Sequence, residues 1–179
     1  MLNNTSKSIV EWWAKIRLLK DQINKLEQLK DAPIIAIAAF LLKSQIIEFE
    51  LKQLIFSIDL YIYSNTSGVF RRRVRTPRDL DNLTLRKLVR EIEQFVNKSD
   101  ILIKTQTNKS KNKQLDTLGK LKKNLNELVN KRDKLTHHLF DSGKNIRDLN
   151  NDALKGIEIA SNTLILIEKL EKEIKKYEK

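Results

Sequence analysis

A chain of 179 residues is long enough to bury one substantial core, and the absence of cysteine excludes disulfides, thiolate catalysis and thiolate metal sites. Thirty-five lysines and arginines against 23 aspartates and glutamates leave a net charge of +12. That balance favours polyanionic partners, nucleic acid first, although a lysine-rich solubilising surface gives the same sum. The N-terminal MLNNTSKSIVEWW has no basic stretch leading into an apolar one, and the longest apolar run, Ile34 to Leu42, is far short of a membrane span. A cytoplasmic chain with no membrane association is therefore expected.

Apolar residues recur at three and four spacing nearly everywhere, which predicts a single all-α domain over 1–179, a bundle of about five helices. The first helix carries Ile9, Trp12, Trp13, Ile16, Leu19, Ile23 and Leu26 on one side. Asp31-Ala32-Pro33 closes it and opens the second, with proline tolerated in a first turn. The second helix, about 33–63, has a broad apolar surface built on Ile37, Leu41, Ser44, Ile47, Leu51, Leu54, Ile58 and Tyr61, widened by Ile34, Phe40, Ile55 and Ile62. Such breadth suits the central helix of a bundle.

A basic loop is expected at about 64–78, opening with Ser64-Asn65-Thr66-Ser67-Gly68. Thr76 reads as an N-cap, with Pro77 in the first turn and Asp79 after it. A third helix follows through Leu85, Leu88, Val89, Ile92, Phe95 and Val96, and the polar tract at about 104–113 (KTQTNKSKNK) reads as a mobile loop. The fourth helix is expected at about 114–140, ended by Asp141-Ser142-Gly143. The last spans about 149–177, with Ala153, Ile157, Ala160, Leu164, Ile167 and Ile174 buried.

The fourth helix holds the most informative segment. Leu118, Leu121, Leu125, Leu128, Leu135 and Leu139 form a stripe whose missing position is Arg132, within roughly 10° of the mean stripe direction. An arginine in an apolar seam is costly unless paired or used. The two histidines of the chain, His137 and His138, stand shortly after it. Histidine is the side chain whose ordinary pKa, about 6.5, lies near neutrality. His137 lies about 140° around the helix from Arg132 and His138 about 120° the other way, so a shared site needs a bent helix end or a second copy across a two-fold axis. The plainer alternatives are an ion-paired or snorkelling Arg132 at the bundle edge and two surface histidines near a helix C-terminus.

The segment Arg132-Asp133-Lys134-Leu135-Thr136-His137 resembles the signature of the HEPN (higher eukaryotes and prokaryotes nucleotide-binding) family, small all-α proteins often found as RNases in bacterial defence and toxin–antitoxin systems. That signature is an arginine and a histidine separated by four to six residues, the first of them usually polar, late in a long helix. His137 fits with four intervening residues and His138 with five; Asp133 matches the polar position. The early helix with AFLLKSQIIEFELKQLI, the shorter LTLRKLVREIEQF helix and the closing amphipathic helix extend the likeness from about Pro33 onward. One departure is Leu139, where a HEPN subfamily paired with a nucleotidyltransferase antitoxin carries tyrosine.

The resemblance implies metal-independent RNA cleavage by attack of the ribose 2′-hydroxyl on the adjacent phosphate, in a homodimer with a composite cleft and with an antitoxin protein as a possible partner. No cofactor is implied. In that chemistry His137, or His138 in its place, moves a proton, Arg132 holds the phosphate oxygens, and Asp133 orients the imidazole or the arginine. A metal route has less support, because the two histidines point to different helix faces. Asp79, Asp81, Asp148 and Asp152 read as helix-start and loop acids.

Outside the motif, Arg71, Arg72, Arg73, Arg75 and Arg78 put five arginines in eight residues and are the leading candidates for RNA phosphate contacts, with Phe70 or Tyr63 available to stack on a base. A solvated charge run, or pairing with acids of neighbouring helices, is the alternative. Lys104, Lys109, Lys111 and Lys113 can add non-specific attraction. Three functions thus remain open: an RNase of the HEPN type, a non-catalytic helical module that binds RNA or protein, and a scaffold whose faces serve oligomerisation.

Overall fold

The computed structural model describes residues 2–27, 33–65, 75–102, 108–138 and 145–175. These residues form six helices packed together: α1 (Leu2–Glu27), α2 (Pro33–Asn65), α3 (Pro77–Asp81), α4 (Leu85–Leu102), α5 (Asn108–His138) and α6 (Ile146–Lys175). The all-α bundle expected from periodicity is what forms. Among the described residues no helix is long and apolar enough to cross a membrane.

Helix α2 is the hub, packed against α1, α4 and α6. Phe40, Ile47, Leu51, Leu54 and Ile55 are fully buried along it. Its wide apolar surface is why the sequence permits contacts on several sides. Two expected core residues lie elsewhere: Trp13 is half exposed and Ile34 is exposed. Trp12 and Trp13 stand about 100° apart on a helix, so α1 can turn only one of them fully inward. Trp12 is buried, and its indole N–H donates to Asp81 Oδ1 at 2.7 Å, tying α1 to α3.

The single third helix expected from the sequence is two. Thr76 caps α3 as anticipated: its hydroxyl accepts from the Asp79 N–H at 3.4 Å while the Asp79 carboxylate accepts from the Thr76 N–H at 2.7 Å. The helix then stops at Asn82, and α4 starts after Thr84. On one continuous helix Leu80 would lie about 140° from Leu85, outside the stripe through Leu88, Val89 and Ile92. The break lets Leu80 and Leu85 both reach the core, and both are buried.

Two helix starts also move. Residues 108–113 of the expected polar loop belong to α5, where Lys109, Lys111 and Lys113 are good helix formers. Residues 104–107 lie outside the described residues, as do the expected terminator 141–143 and Leu139. Helix α6 begins three residues early because Asn145 caps it, its Oδ1 accepting from the Arg147 N–H at 3.0 Å, with Asp148 in the first turn.

Two glycines make opposite demands. Gly156 of α6 faces Phe40, and a Cβ there would stand 2.5 Å from Phe40 Cε2. Phe40 is fully buried, so its ring can yield only by displacing close-packed neighbours. Gly156→Ala is expected to destabilise by about 1–3 kcal/mol from overpacking, less up to about 1 kcal/mol of gained helix propensity. Gly119 in α5 is exposed, and a Cβ there would meet nothing within 4 Å, so Gly119→Ala is expected to stabilise by about 0.5–1 kcal/mol. Urea midpoints of the two variants should therefore move in opposite directions, and a common direction would contradict the packing assigned to Gly156.

Helices α5 and α6 pack together and are laced by Asp152, which meets Lys134 at 2.8 Å and Lys131 at 3.7 Å. Asp152 is thus a bridging acid, not the loop or helix-start acid expected. The hydrogen bond from Lys134, aided by the charges of Lys134 and Lys131 and opposed by slight burial, holds its carboxyl below the usual range. A depressed carboxyl pKa means that the folded state binds fewer protons, so the stabilisation is complete above the unfolded value of about 3.9 and is lost as pH falls through the folded value. Asp152→Asn is expected to cost about 0.5 kcal/mol at neutral pH and nothing at the acid end of a pH-resolved urea series.

Candidate functional site

The arginine–histidine segment occupies the last two turns of α5. Leu128 and Leu135, on either side of Arg132 in the seam, are buried, whereas the Arg132 side chain is 31% exposed. Arg132 therefore sits where the leucine stripe meets the surface. Its guanidinium reaches across to Glu48 of α2 at 3.5 Å. Glu48 is shared, because Lys52 approaches its other oxygen at 3.5 Å. Lys52 itself is buried, donates to the Asp81 carbonyl at 3.3 Å and lies 5.2 Å from the centre of the Phe49 ring. Glu48 engages one nitrogen of the Arg132 guanidinium, which carries further donors and is partly exposed.

Asp133 turns the other way, to α4. Its carboxylate accepts from the guanidinium of Arg86, the second residue of that helix. Farther along the same antiparallel pair, Glu93 accepts from Asn126 at 3.1 Å and lies 3.6 Å from Lys122. Between α4 and α5 lies an open groove of about 330 Å³, lined by Thr84, Leu85, Arg86, Val129, Arg132, Asp133 and Thr136. Two arginines and one aspartate are its charged groups. The Thr136 hydroxyl bonds back to the carbonyls of Arg132 and Asp133 at 3.0 Å each, so it helps fix the local turn.

His137 is exposed and His138 half-buried in the last turn of α5, on different faces as the helical count requires. Neither lines the groove. Within one chain, then, Arg132 and Asp133 are brought together at the groove, and the histidines stand beyond its end. Among the described residues no group of three or more His, Asp or Glu side chains converges as metal ligands would.

The basic segment divides. Arg71, Arg72 and Arg73 lie outside the described residues, as does Phe70, while Tyr63 and Arg78 are exposed. Arg75 is occupied by acids of neighbouring helices and leaves the phosphate-contact set. Its Nε and Nη2 donate to the two oxygens of Asp59 at 2.6 and 3.0 Å, and Nη1 donates to Glu91 at 2.6 Å. Burial alone would lower its pKa, but the hydrogen bonds and charges of Asp59 and Glu91 outweigh that and raise it. The arginine is a permanent cation clamping α2 to α4.

Sequence reasoning missed Arg86 and Glu48. Their partners lie 47 and 84 residues away, so no local spacing announces them. No known protein family, characterised protein or solved structure matches this chain.

Proposed function

We propose that this chain is a metal-independent endoribonuclease of the HEPN type, cleaving RNA by 2′-hydroxyl attack at a site completed by a second copy. The observation that supports this most is Arg132. It interrupts a buried leucine seam, stays partly exposed on an open groove and is held only loosely by Glu48. A guanidinium so placed can bind a phosphate through two parallel donors and stabilise the charge that develops on it. His137, exposed one turn beyond, is free to serve a substrate spanning two copies as the proton-transfer group. Two copies related by a two-fold axis would bring each histidine to an arginine that its own helix directs away from it. A 2′-hydroxyl nucleophile makes the reaction specific to RNA.

The second reading is a helical module that binds RNA or protein without cutting. It is favoured by the internal pairing of Asp133 with Arg86, which leaves that carboxylate little freedom to orient a catalytic group. Incubating the parent protein with total RNA in EDTA separates the two. Cleavage that disappears with Arg132→Ala and with His137→Ala supports the nuclease, cleavage that survives both sinks the site, and binding without cleavage moves the assignment to the second reading.

A further inference from the structure

Helix α4 sorts its charges by destination. Over its described side chains the two acids, Glu91 and Glu93, are engaged by other segments: Glu91 by Arg75, Glu93 by Asn126 and Lys122. The three cations, Arg86, Lys87 and Arg90, are exposed. Arg86 and Arg90 are one helical turn apart, about 6 Å along the axis, and Lys87 flanks them. Arg86 is also a wall of the groove that holds Arg132. The exposed row of α4 is therefore continuous with the candidate site; Glu93, about 20° around the helix from Arg86, and Glu91, about 40° from Lys87, flank the row, each engaged by a residue of another segment. Every cation of this row lies on a single rigid helix.

We propose that the exposed face of α4 carrying Arg86, Lys87 and Arg90 is the docking surface for the phosphate backbone of single-stranded RNA, leading the strand into the groove at Arg132. The proposal rests on the nuclease reading and names how that site receives its substrate. Charge complementarity selects the occupant. Cations spaced by one helical turn match successive phosphates of an extended strand, and the chain's excess of 12 positive charges opposes docking of a basic partner. Contacts of this kind position the strand and carry no base preference. Arg86 has a second task, since an arriving phosphate competes with the Asp133 carboxylate for its guanidinium.

The test uses the full chain with His137→Ala, so that the RNA stays intact, and reads affinity for a labelled short single-stranded RNA across a salt series. Lys87→Glu with Arg90→Glu is expected to weaken binding at least about tenfold. It should also flatten the slope of log affinity against log salt by about 1.4, two phosphate contacts at about 0.7 each. Lys155→Glu with Lys169→Glu, exposed on α6, makes the same change in net charge and should weaken binding far less. Equal weakening by the two pairs would overturn the proposal, because general charge would then account for the effect. Undiminished binding by the α4 variant would overturn it too while leaving the nuclease reading intact. Failure of the His137→Ala protein itself to bind RNA at low salt would remove the surface, and failure of the parent to cleave RNA is what separately removes the nuclease.

Discussion

Arg132→Ala is expected to lower RNA cleavage by about 10²–10³-fold, the usual loss when a donor to developing oxyanion charge is removed. The effect should be chemical and not a consequence of unfolding. The guanidinium meets Glu48 at 3.5 Å and is about a third exposed, so the lost pair costs only about 0–1 kcal/mol of stability. Arg132→Lys keeps the charge but loses the planar fork, and should recover only part of the activity. His137→Ala should cost about 10²–10⁴-fold if its imidazole transfers the proton, with His138→Ala nearly neutral. The reverse pattern would transfer the role to His138. A site built from two copies also predicts that specific activity falls on dilution as dimers dissociate. Activity proportional to protein concentration down to the lowest detectable level would argue against the composite cleft.

Arg75→Ala is expected to destabilise the protein by about 3–5 kcal/mol, a large part of a typical total of about 5–15 kcal/mol. The cause is the carboxylate left behind. Asp59 is 2% exposed at its side chain, and both of its oxygens are held by Arg75. Without the guanidinium a buried charge has lost the partner that offset its desolvation. Combining Arg75→Ala with Asp59→Leu should restore much of the loss, since replacing both members of a buried pair by apolar groups is often near neutral. Urea unfolding of the two single variants and the double one measures the coupling. A loss below about 1 kcal/mol for Arg75→Ala would mean that water reaches Asp59 and that the clamp is superficial. Because Arg75 joins the segment ahead of α3 to both α2 and α4, the unfolding should include the groove wall, and RNA binding should fall with stability.

The helices were legible because burial leaves a periodic trace. The seam through Leu121, Leu125, Leu128 and Leu135 is buried as its spacing requires, and Thr76 and Pro77 open α3 as local capping chemistry dictates. The break at Asn82 was less legible. Its cause is the simultaneous burial of Leu80 and Leu85 against other helices, which local propensity does not record. Trp12 and Trp13 show the same limit: adjacent residues of one type, of which only the packing against α2 and α3 selects the buried member.

By itself, then, the sequence determined the all-α class, the central place of the apolar second helix and the anomaly of an arginine in a leucine seam. These follow from short-range periodicity and from composition, which any segment carries with it. Tertiary structure alone decided which charges meet. It removed Arg75 from the surface by joining it to Asp59 and Glu91, set Arg86 opposite Asp133, and gave Arg132 the distant Glu48. Pairings of this kind depend on how helices far apart in the chain come to lie side by side, and Coulomb interactions act through that geometry and not along the sequence.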